Sequence, residues 1–357
     1  MKLLCIFRKY PPFIGGLETF GYNLIKNIKE QNRETYEIIN KKGNKNLPFF
    51  FIYSLIKALY LIKTKEIDVI YLADGILSPI GAILKRLTNK KVVITIHGKE
   101  VTYNNKLYQK VISKLINMSN LIICVSKKTQ EEAIKIGVAQ SKISVINNGV
   151  NQKEFVLDKP KTLSRNEISN KIGIKLSNKK ILLTNGRLIR RKGVRWFVEE
   201  VIPNLRENVV YIISGDGPER KEIEKSIVNN NLEEKVFLLG SISQDDLKLL
   251  YNSADLFIMP NIHINGDLEG FGIVAIEASS CGLQVIASRV DGIPDAVLNG
   301  KTGWLVEEKD TNSFIKRINR KPIKSDIIIK ETKKNFDWEI VTNKYLYLIE
   351  KMLKIKN

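Results

Sequence analysis

The stretch NIHINGDLEGFGIVAIEAS, residues Asn261–Ser279, is the most informative part of the sequence. Two carboxylates, Glu269 and Glu277, bracket a Gly-Phe-Gly turn, and the apolar run Leu256–Met259 precedes the stretch. This order predicts a strand, a long loop, a glycine turn and a helix, a layout in which backbone N–H groups at the helix start face an anion. We expect Glu277 within the helix and Glu269 in the loop before it, so that both border one pocket. A diphosphate flanked by sugar hydroxyls suits such a pocket.

Outside this stretch, short β-rich apolar runs alternate with helical patterns, which predicts parallel α/β layers. A chain of 357 residues exceeds what one hydrophobic core usually supports, so we expect two domains. The polar segment 151–180 predicts a linker with a short helix near 165–173, and helical spacing predicts an amphipathic helix over Phe336–Leu353. The predicted strands are Leu3–Phe7, Tyr36–Ile39, Asp68–Leu72, Val92–Ile96, Leu121–Val125, Ser144–Ile146, Ile181–Thr184, Val209–Ser214, Val236–Leu239, Leu256–Met259, Gln284–Ala287 and Trp304–Val306.

Glycine and charged clusters follow several of these strands directly. The carboxyl ends of parallel strands are where open α/β sheets bind ligands, so the clusters predict ligand-binding edges. Two such edges facing each other would form a cleft between domains. The clusters are Gly15-Gly16, His97-Gly98, Gly186-Arg187, Gly215-Asp216-Gly217-Pro218 and the glutamate stretch described above.

Two cations, Arg187 and Lys192, come just after a predicted strand and before a helix. Arg offers a planar fork and Lys a point charge, which together suit a diphosphate that gains charge as it leaves. The alternative is a solvated basic loop, because Arg190, Arg191 and Arg195 are neighbours. We favour a functional role for Arg187 and Lys192 because of their position after the strand.

Three other positions are less specific. Gly16 lets the backbone approach a phosphate or acceptor closely, although glycine turns are common, and for Glu18 simple stabilisation of a helix start is favoured. His97, at a strand end, can donate a hydrogen bond to a sugar or act as an acid or base, and a structural role fits its position equally well. His263 has no partner motif and is expected at the surface.

The net charge of +20 is concentrated in the first half, where residues 1–159 contain 26 Lys and Arg against 12 Asp and Glu. Because no zinc finger, helix-turn-helix or RNA-binding motif is present, nucleic-acid binding is the weaker interpretation. An anionic membrane surface or a lipid-phosphate substrate is favoured, since aromatic residues lie among lysines, although these aromatics could equally line a core-facing helix. The aromatic residues are Phe49, Phe50, Phe51, Tyr53 and Tyr60, and the lysines are Lys45, Lys57, Lys63 and Lys65.

Further features set expectations about location and metals. The apolar run Leu47–Ile62 is interrupted by Lys57 and is expected to be too short to span a bilayer, which needs ~20 residues. No charged-then-apolar leader precedes the first strand, so we expect a cytoplasmic protein. Cys5, Cys124 and Cys281 lack paired spacing and are expected in the core, and two isolated histidines predict no metal site.

Seven motifs stand in a recognisable order and spacing along the sequence. They are Gly15-Gly16-Leu17-Glu18, His97-Gly98, the run from Val125-Ser126 to Asn147-Asn148-Gly149-Val150, Gly186-Arg187 with Lys192-Gly193, Gly215-Asp216-Gly217-Pro218, Glu269-x7-Glu277 and Gly300-Lys301-Thr302-Gly303-Trp304-Leu305-Val306. Together they resemble a retaining glycosyltransferase of the GT-B fold, family 4, the group that contains bacterial mannosyl- and glucosyltransferases of cell-envelope glycans. The resemblance covers nearly the whole chain, and the glutamate motif is its most specific part.

The resemblance implies roles for individual residues. Arg187 and Lys192 would bind the donor diphosphate and stabilise the leaving nucleoside diphosphate. Glu269 would hold hydroxyls of the transferred sugar, Glu277 the ribose, and His97 would contact the donor sugar near the reacting carbon. Backbone groups that would complete the site lie at Gly16, Gly186, Gly215, Phe271, Gly272 and Ile273.

The resemblance also implies the architecture. Two Rossmann-like, doubly wound domains would face each other across a cleft. Residues 1–160 would bind the acceptor, and residues 161–336 would bind the nucleotide sugar. A C-terminal helix over about 337–357 would cross back to the first domain.

In chemical terms, the resemblance implies transfer of a hexose with retained anomeric configuration and with neither metal nor cofactor. A front-face mechanism is the usual proposal for the family, with a donor phosphate oxygen taking the acceptor proton. The donor would be GDP-mannose or a UDP-sugar, and the Gly-Asp-Leu-Glu-Gly sequence in the long loop from Asn261 favours GDP-mannose. The expected acceptor is a lipid-linked or oligosaccharide molecule at the inner face of the membrane.

Other functions remain open at this point. A GT-B nucleotide-sugar epimerase would need further acid or base residues, and a phosphorylase would need a pyridoxal-phosphate lysine site; neither is identified. A non-catalytic nucleotide-sugar-binding protein is the alternative outside enzymes. The presence of Arg187, Lys192, Glu269 and Glu277 argues against it.

Overall fold

A computed structural model describes residues 1–12, 15–40 and 46–354 of the chain. Twelve strands form two six-stranded sheets, and each pairing between neighbouring strands is parallel. The strands are β1 Lys2–Phe7, β2 Glu34–Ile39, β3 Val69–Leu72, β4 Lys91–Ile96, β5 Leu121–Cys124, β6 Ile143–Val145, β7 Lys180–Asn185, β8 Val209–Ser214, β9 Val236–Gly240, β10 Leu256–Met259, β11 Gln284–Ser288 and β12 Gly303–Val306. Each predicted strand is present, with ends shifted by at most two residues.

Within the described residues, sixteen α-helices connect and cover the strands. They are α1 Gly16–Glu30, α2 Leu47–Lys65, α3 Ser78–Thr88, α4 Lys99–Thr102, α5 Lys106–Ile116, α6 Lys127–Lys135, α7 Gln152–Phe155, α8 Lys161–Ile172, α9 Val194–Glu200, α10 Arg220–Asn229, α11 Gln244–Ser253, α12 Ile273–Ser280, α13 Ile293–Ala296, α14 Thr311–Ile318, α15 Ser325–Phe336 and α16 Trp338–Lys354. The helix expected within the linker is α8.

The chain divides into two compact units. The first contains Met1–Gly149, Gly266–Phe271 and Trp338–Asn357, and the second contains Val150–Asn265 and Gly272–Asp337. The first unit therefore ends its main segment before the boundary expected at residue 160, and it includes a short segment from the sequence between β10 and α12. The roles of the two domains in acceptor and donor binding stay predictions.

The order of strands explains how each unit is layered. The first sheet runs β2-β1-β3-β4-β5-β6 and the second runs β12-β11-β10-β7-β8-β9, so each chain path reverses direction once across its sheet. Because crossovers between parallel strands are right-handed as a rule, such a reversal places helices on both faces of a sheet. Strands buried on both faces need continuous apolar runs such as VVYIIS in β8. This confirms the expected fold class of doubly wound α/β sheets.

In the first unit, the two faces of the sheet have separate cores. One core contains Phe50 of α2, Ile80 of α3 and Ile112 of α5. The opposite core contains Leu24 of α1 together with Trp338 and other residues of α16. The last described helix thus belongs to the first unit, as expected.

Two expectations about helices need correction. The helix α2 is 19 residues long because it continues past Ile62 to Lys65, and it ends where Glu66 adopts a left-handed conformation with φ of 53°. Among the described residues, α2 is the one helix whose length and apolar composition would allow it to cross a bilayer. Of its most apolar 18-residue stretch, 22% is buried. At the other end of the chain, Phe336 closes α15, and the extended Asp337 separates it from α16.

Candidate functional site

The second unit brings together the loops that follow β7, β8 and β10 at one edge of its sheet. The amide of Gly186 donates to the carbonyl of Ser214 at 3.0 Å, which joins the first two loops. The amide of Ile262 donates to the carbonyl of Arg191 at 2.9 Å, which joins the first and third. The strand-end clusters predicted from the sequence in this unit are therefore neighbours.

Glycine is required where these loops touch. A Cβ atom on Gly215, whose φ is +115°, would lie 2.0 Å from the carbonyl oxygen of Gly186. A Cβ atom on Gly193, whose φ is +65°, would lie 1.8 Å from the carbonyl oxygen of Pro260. Both the positive φ and the missing side chain are needed, so the backbone at this edge has little freedom to rearrange.

The two candidate cations lie at this edge. Arg187 is exposed, and its side chain makes no hydrogen bond or ion pair with the residues that the structure describes. Lys192 is half-buried, and its Nζ lies 3.9 Å from the point where a Cβ atom on Gly186 would stand. Arg195, in contrast, forms an ion pair with Glu199 at 2.8 Å. The Arg187 side chain therefore differs from that of Arg195, and the assignment of Arg187 and Lys192 to a donor site stays a prediction.

The carboxylate of Glu277 belongs to a hydrogen-bonded chain that the sequence did not suggest. The hydroxyl of Tyr251 donates to Glu277 Oε2 at 3.0 Å and accepts from Asn185 Nδ2 at 3.3 Å. Asn185 ends β7, directly before Gly186, so the chain connects Glu277 to the loop of the cations. Burial raises the pKa of Glu277 to about 7, against the lowering effect of the Tyr251 hydroxyl.

The start of α12 has the geometry expected for an anion site. Gly272 precedes the helix with φ of +97°, and as a glycine it has no side chain to cap the amides of the first turn, which begins at Ile273. Such uncapped amides attract anions. Phe271 is buried and belongs to the first unit.

In the first unit, His97 follows β4 and its ring is fixed by two contacts. Its Nε2 lies 2.9 Å from the carbonyl oxygen of Ala73, and its ring meets the ring of Phe20 edge-on at 4.8 Å. Burial lowers the pKa of His97 to about 4, so the imidazole is neutral near pH 7. Because a carbonyl can only accept, Nε2 carries the proton and Nδ1 is an acceptor. A sugar hydroxyl can therefore donate to His97, whereas the sequence alone left open donation by His97, an acid or base role, or a structural role.

Three buried charged residues lie next to His97 and were missed. Arg8 Nε contacts Asp74 Oδ2 at 3.1 Å, and Glu100 Oε1 accepts from the amides of His97 at 2.7 Å and Gly75 at 3.3 Å. Burial raises the pKa of both carboxyls. Each residue follows a neighbouring strand, β1, β3 or β4, and this shared position was the signal available in the sequence. The cluster holds the turn that carries His97.

Glu269 lies in the segment Gly266–Phe271, which belongs to the first unit and not to the second domain as expected. A Cβ atom on Gly270 would lie 2.0 Å from the carbonyl oxygen of His97. Leu268, which precedes Glu269, has its side chain close to Gly98, the residue after His97. Glu269 is half-buried in this position beside the His97 turn.

The remaining candidates have simpler surroundings. Gly16 is the exposed first residue of α1, and Glu18 in that helix is buried and pairs with Lys9 at 3.5 Å. His263 is at the surface as expected and contacts Asp291 at 3.2 Å, a hydrogen bond that raises its pKa. Glu18 and His263 therefore have structural partners.

A cavity of about 710 Å³ lies elsewhere in the second unit. Its lining residues include Lys180, Asp255 and Gln284, which stand at the amino ends of strands, opposite the edge described above. Arg165 and Lys161 both pair with Asp255 there. Because these charges are already satisfied, we do not place the functional site in this cavity. Within the described ranges, no cluster of three His, Cys, Asp or Glu suits a metal ion.

The raised pKa of Glu277 gives a testable pH dependence. Since the folded pKa is about 7 and the ordinary value 4.5, the stability that Glu277 contributes is complete below about pH 4.5 and is lost as the pH rises through about 7. Glu277→Gln removes this loss. We expect the difference in melting temperature, variant minus wild type, to increase as the pH is raised from about 5 to about 8. The increase should be equivalent to roughly 1–3 kcal/mol in the free energy of unfolding.

Scanning calorimetry at several pH values measures this difference. His97, with its lowered pKa, contributes stability that is lost as the pH falls through about 4, but both proteins contain it and the comparison cancels it. A constant difference across this pH range would contradict the assignment of a raised pKa to Glu277.

Comparison with known proteins identifies relatives along most of the chain. The family model described as glycosyl transferases group 1 matches residues 164–333, and the model described as glycosyltransferase family 4 matches residues 26–154. An uncharacterized glycosyltransferase of Methanocaldococcus jannaschii is 29% identical over 355 residues, covering 90% of this chain and 88% of that protein.

Two of the relatives have names that state both a donor and an acceptor. A GDP-mannose-dependent alpha-(1-6)-phosphatidylinositol monomannoside mannosyltransferase of Mycolicibacterium smegmatis is 26% identical, covering 87% of each chain. A UDP-Gal:alpha-D-GlcNAc-diphosphoundecaprenol alpha-1,3-galactosyltransferase of Escherichia coli is 27% identical, covering 85% of this chain and 78% of that protein.

Solved structures share the fold. Sucrose-phosphate synthase from Thermosynechococcus elongatus aligns with a TM-score of 0.81 at 19% identity and covers 100% of both chains. The Anabaena protein HepE in complex with UDP aligns with a TM-score of 0.79 at 19% identity, covering 98% of this chain and 100% of that one.

Proposed function

We propose, from the premise that the chain is a GT-B glycosyltransferase of family 4 type, that it transfers a hexose from a nucleotide diphosphate sugar to a lipid-linked or oligosaccharide acceptor. The observation that carries the proposal is the edge of the second unit. There, Arg187 and Lys192 lie on loops that contact each other closely at glycine residues. The same edge carries the hydrogen bonds that connect Asn185, Tyr251 and Glu277.

In this proposal the cations bind the donor diphosphate. Arg187 has no partner among the described residues, so binding an anion would cost it no existing ion pair. Lys192 would add a point charge from a half-buried position. Both would interact more strongly with the departing nucleoside diphosphate than with the intact donor, because negative charge grows on the diphosphate as the sugar leaves.

Glu277 would bind the ribose hydroxyls. The Tyr251 hydroxyl occupies one of its carboxylate oxygens, and a ribose hydroxyl would donate to the carboxylate. With a pKa of about 7, Glu277 is ionised in a substantial fraction of molecules near neutral pH, and donated hydrogen bonds would favour the ionised form further.

His97 and Glu269 would contact the transferred sugar. The neutral His97 ring offers Nδ1 as an acceptor, and Glu269 offers a carboxylate in the segment that packs against the His97 turn. Both groups would accept hydrogen bonds from sugar hydroxyls. A neutral His97 is not a proton donor, so the proposal uses it to position the sugar.

We propose that transfer retains the anomeric configuration by a front-face reaction. The bond from the sugar carbon to the diphosphate oxygen breaks, and the acceptor hydroxyl forms a bond to the same face of that carbon. The acceptor proton passes to an oxygen of the departing diphosphate. Arg187 and Lys192 stabilise that diphosphate, and no protein residue needs to form a covalent intermediate.

We propose a lipid-linked acceptor in cell-envelope glycan synthesis at the cytoplasmic face of the membrane, and the names of two relatives support the lipid-linked acceptor. The acceptor named for the mycobacterial relative is a phosphatidylinositol monomannoside, and the acceptor named for the E. coli relative is a diphosphoundecaprenol-linked sugar. The same two relatives use GDP-mannose and UDP-galactose, so both bases stay within the proposal.

A panel of donors tests the proposal by thermal shift. GDP-mannose, UDP-glucose, UDP-N-acetylglucosamine, UDP-galactose, GDP and UDP are each added to the wild-type protein. A ligand that binds only the folded state stabilises it by about 2.7 kcal/mol at 100 times its Kd. We expect one nucleotide family to raise the melting temperature. The variant Lys192→Ala should show a smaller shift with the same ligand, and the absence of any shift across the panel would contradict the proposed donor class.

A further inference from the structure

The helix α2 exposes a stripe of large apolar side chains to solvent. The exposed residues recur at intervals of three, four and seven, which is the spacing of one helical face. Five of them expose about half or more of their surface, although single exposed apolar residues are the norm in globular proteins. They are Phe49 (76%), Ile52 (60%), Tyr53 (49%), Ile56 (67%) and Tyr60 (64%).

The stripe extends onto the neighbouring helices. The helix α3 packs against both α2 and α5, and all three cover the same face of the first sheet. Ile83 and Leu87 on α3 are 42% and 65% exposed, and Leu107 and Val111 on α5 are 73% and 49% exposed. We call the solvent side of these three helices the α2–α3–α5 face.

The charge of this face has one sign. The sequences of α2, α3 and α5 contain eight Lys and Arg residues and no Asp or Glu. Lys85 points inward and donates to the carbonyl of Met118 at 2.7 Å, which leaves seven cations for the face. The seven are Lys57, Lys63, Lys65, Arg86, Lys106, Lys110 and Lys114.

The inner side of α2 shows that the helix lies along the protein. Phe50, Ala58 and Leu61 are buried in the core that covers the sheet. Crossing a bilayer would remove these side chains from that core, so the length of 19 residues does not indicate a span. A helix fixed on one side and apolar with basic residues on the other suits the interface of a membrane.

We propose that the α2–α3–α5 face binds the surface of an anionic lipid bilayer, with the α2 stripe inserted among the headgroups and the cations contacting lipid phosphates. The inference deepens the proposed function, because it identifies the surface that would bring the enzyme to a lipid-linked acceptor. Charge selects the partner: seven cations without a carboxylate favour an anionic surface. A second protein copy would present the same cations and repel this face.

Vesicle cosedimentation of the full chain tests the inference without donor or acceptor. The vesicles contain phosphatidylcholine alone or phosphatidylcholine mixed with phosphatidylglycerol. We expect wild type to bind the mixed vesicles and to dissociate as salt rises toward ~1 M, where the Debye length falls to ~3 Å. The double variant Ile52→Ser/Ile56→Ser should bind at least about tenfold more weakly, since it removes inserted apolar carbon atoms.

A charge variant and matched controls complete the test. Lys110→Gln/Lys114→Gln should weaken binding roughly tenfold or more at low salt, since each lysine near an anionic surface contributes about fivefold. Leu163→Ser and Lys333→Gln/Lys334→Gln change exposed residues of the second unit and should bind as wild type does. Melting temperatures check that all variants fold, which surface substitutions should permit.

Several outcomes would overturn the inference. They are failure of wild type to bind mixed vesicles, equal loss in the control variants, and undiminished binding by Ile52→Ser/Ile56→Ser. Sedimentation velocity adds another: a dimer that this variant converts to monomer, with vesicle binding unchanged, would assign the face to self-association. Vesicle binding that survives a negative donor panel would leave the inference standing while the proposed donor fails.

Discussion

Replacing Lys192 by alanine is expected to lower kcat by about 10²–10³, because the variant loses a positive charge that acts on the departing diphosphate. Lys192 lies beside Gly186 on a loop whose backbone is fixed by contacts to two other loops. The backbone that carries the ammonium group is therefore in place before the donor binds, and alanine cannot replace the charge. Steady-state kinetics with the donor found in the thermal-shift panel measures the effect.

Arg195→Ala is the matched control for Lys192→Ala. Arg195 belongs to the same basic segment but pairs with Glu199 at 2.8 Å, so it should have little effect on turnover. If both variants lose activity equally, the segment acts only through its total charge. Turnover by Lys192→Ala at the wild-type rate would remove Lys192 from the site. A melting temperature close to wild type shows that the loss is catalytic.

Glu269→Ala is expected to lower kcat/KM by about 10²–10³, because each hydrogen bond to a charged group contributes about 1.5–3 kcal/mol and the carboxylate would hold hydroxyls of the transferred sugar. Glu269 lies in a segment fixed against the His97 carbonyl through Gly270, so its backbone position should survive the substitution. Nucleotide binding should be retained, since Arg187, Lys192 and Glu277 are unchanged.

Two further measurements make this prediction specific. Glu269→Gln keeps the shape but loses the charge, and it should fall between alanine and wild type. Glu131→Ala removes an exposed carboxylate of α6 in the same unit and should leave kcat/KM unchanged. If thermal shift shows that Glu269→Ala loses affinity for the nucleotide alone as strongly as for the nucleotide sugar, the assignment of Glu269 to the sugar is wrong.

The sequence predicted the strands and the positions of the glycine clusters because both depend on local patterns. Continuous apolar runs such as VIYL and LIIC identify buried parallel strands without knowledge of their partners. Likewise, Gly193 and Gly215 could be read as loop residues after strands. Their contacts with Pro260 and Gly186 could not, since these join residues far apart in sequence.

The side-chain networks were missed for the same reason. Arg8, Asp74 and Glu100 come from three strand ends and meet only when β1, β3 and β4 are neighbours. Tyr251 has helical spacing typical of a core residue, and only its hydroxyl contact with Glu277 gives it a polar role. Sequence spacing also placed Glu269 with the second domain, although its segment packs on the first unit.

The position of α16 has a consequence for the order of synthesis. Trp338 and its neighbours in α16 complete one of the two cores of the first unit, yet they follow Gly149, the end of that unit's main segment, by about 190 residues. At translation rates of about 5–20 residues per second, the delay is roughly 10–40 s. During that interval the α1 side of the first sheet lacks α16, one of the helices that cover it, while the residues of the second unit are being added. The unit that leaves the ribosome first is thus completed last, and its uncovered apolar layer is a natural contact for chaperones during translation.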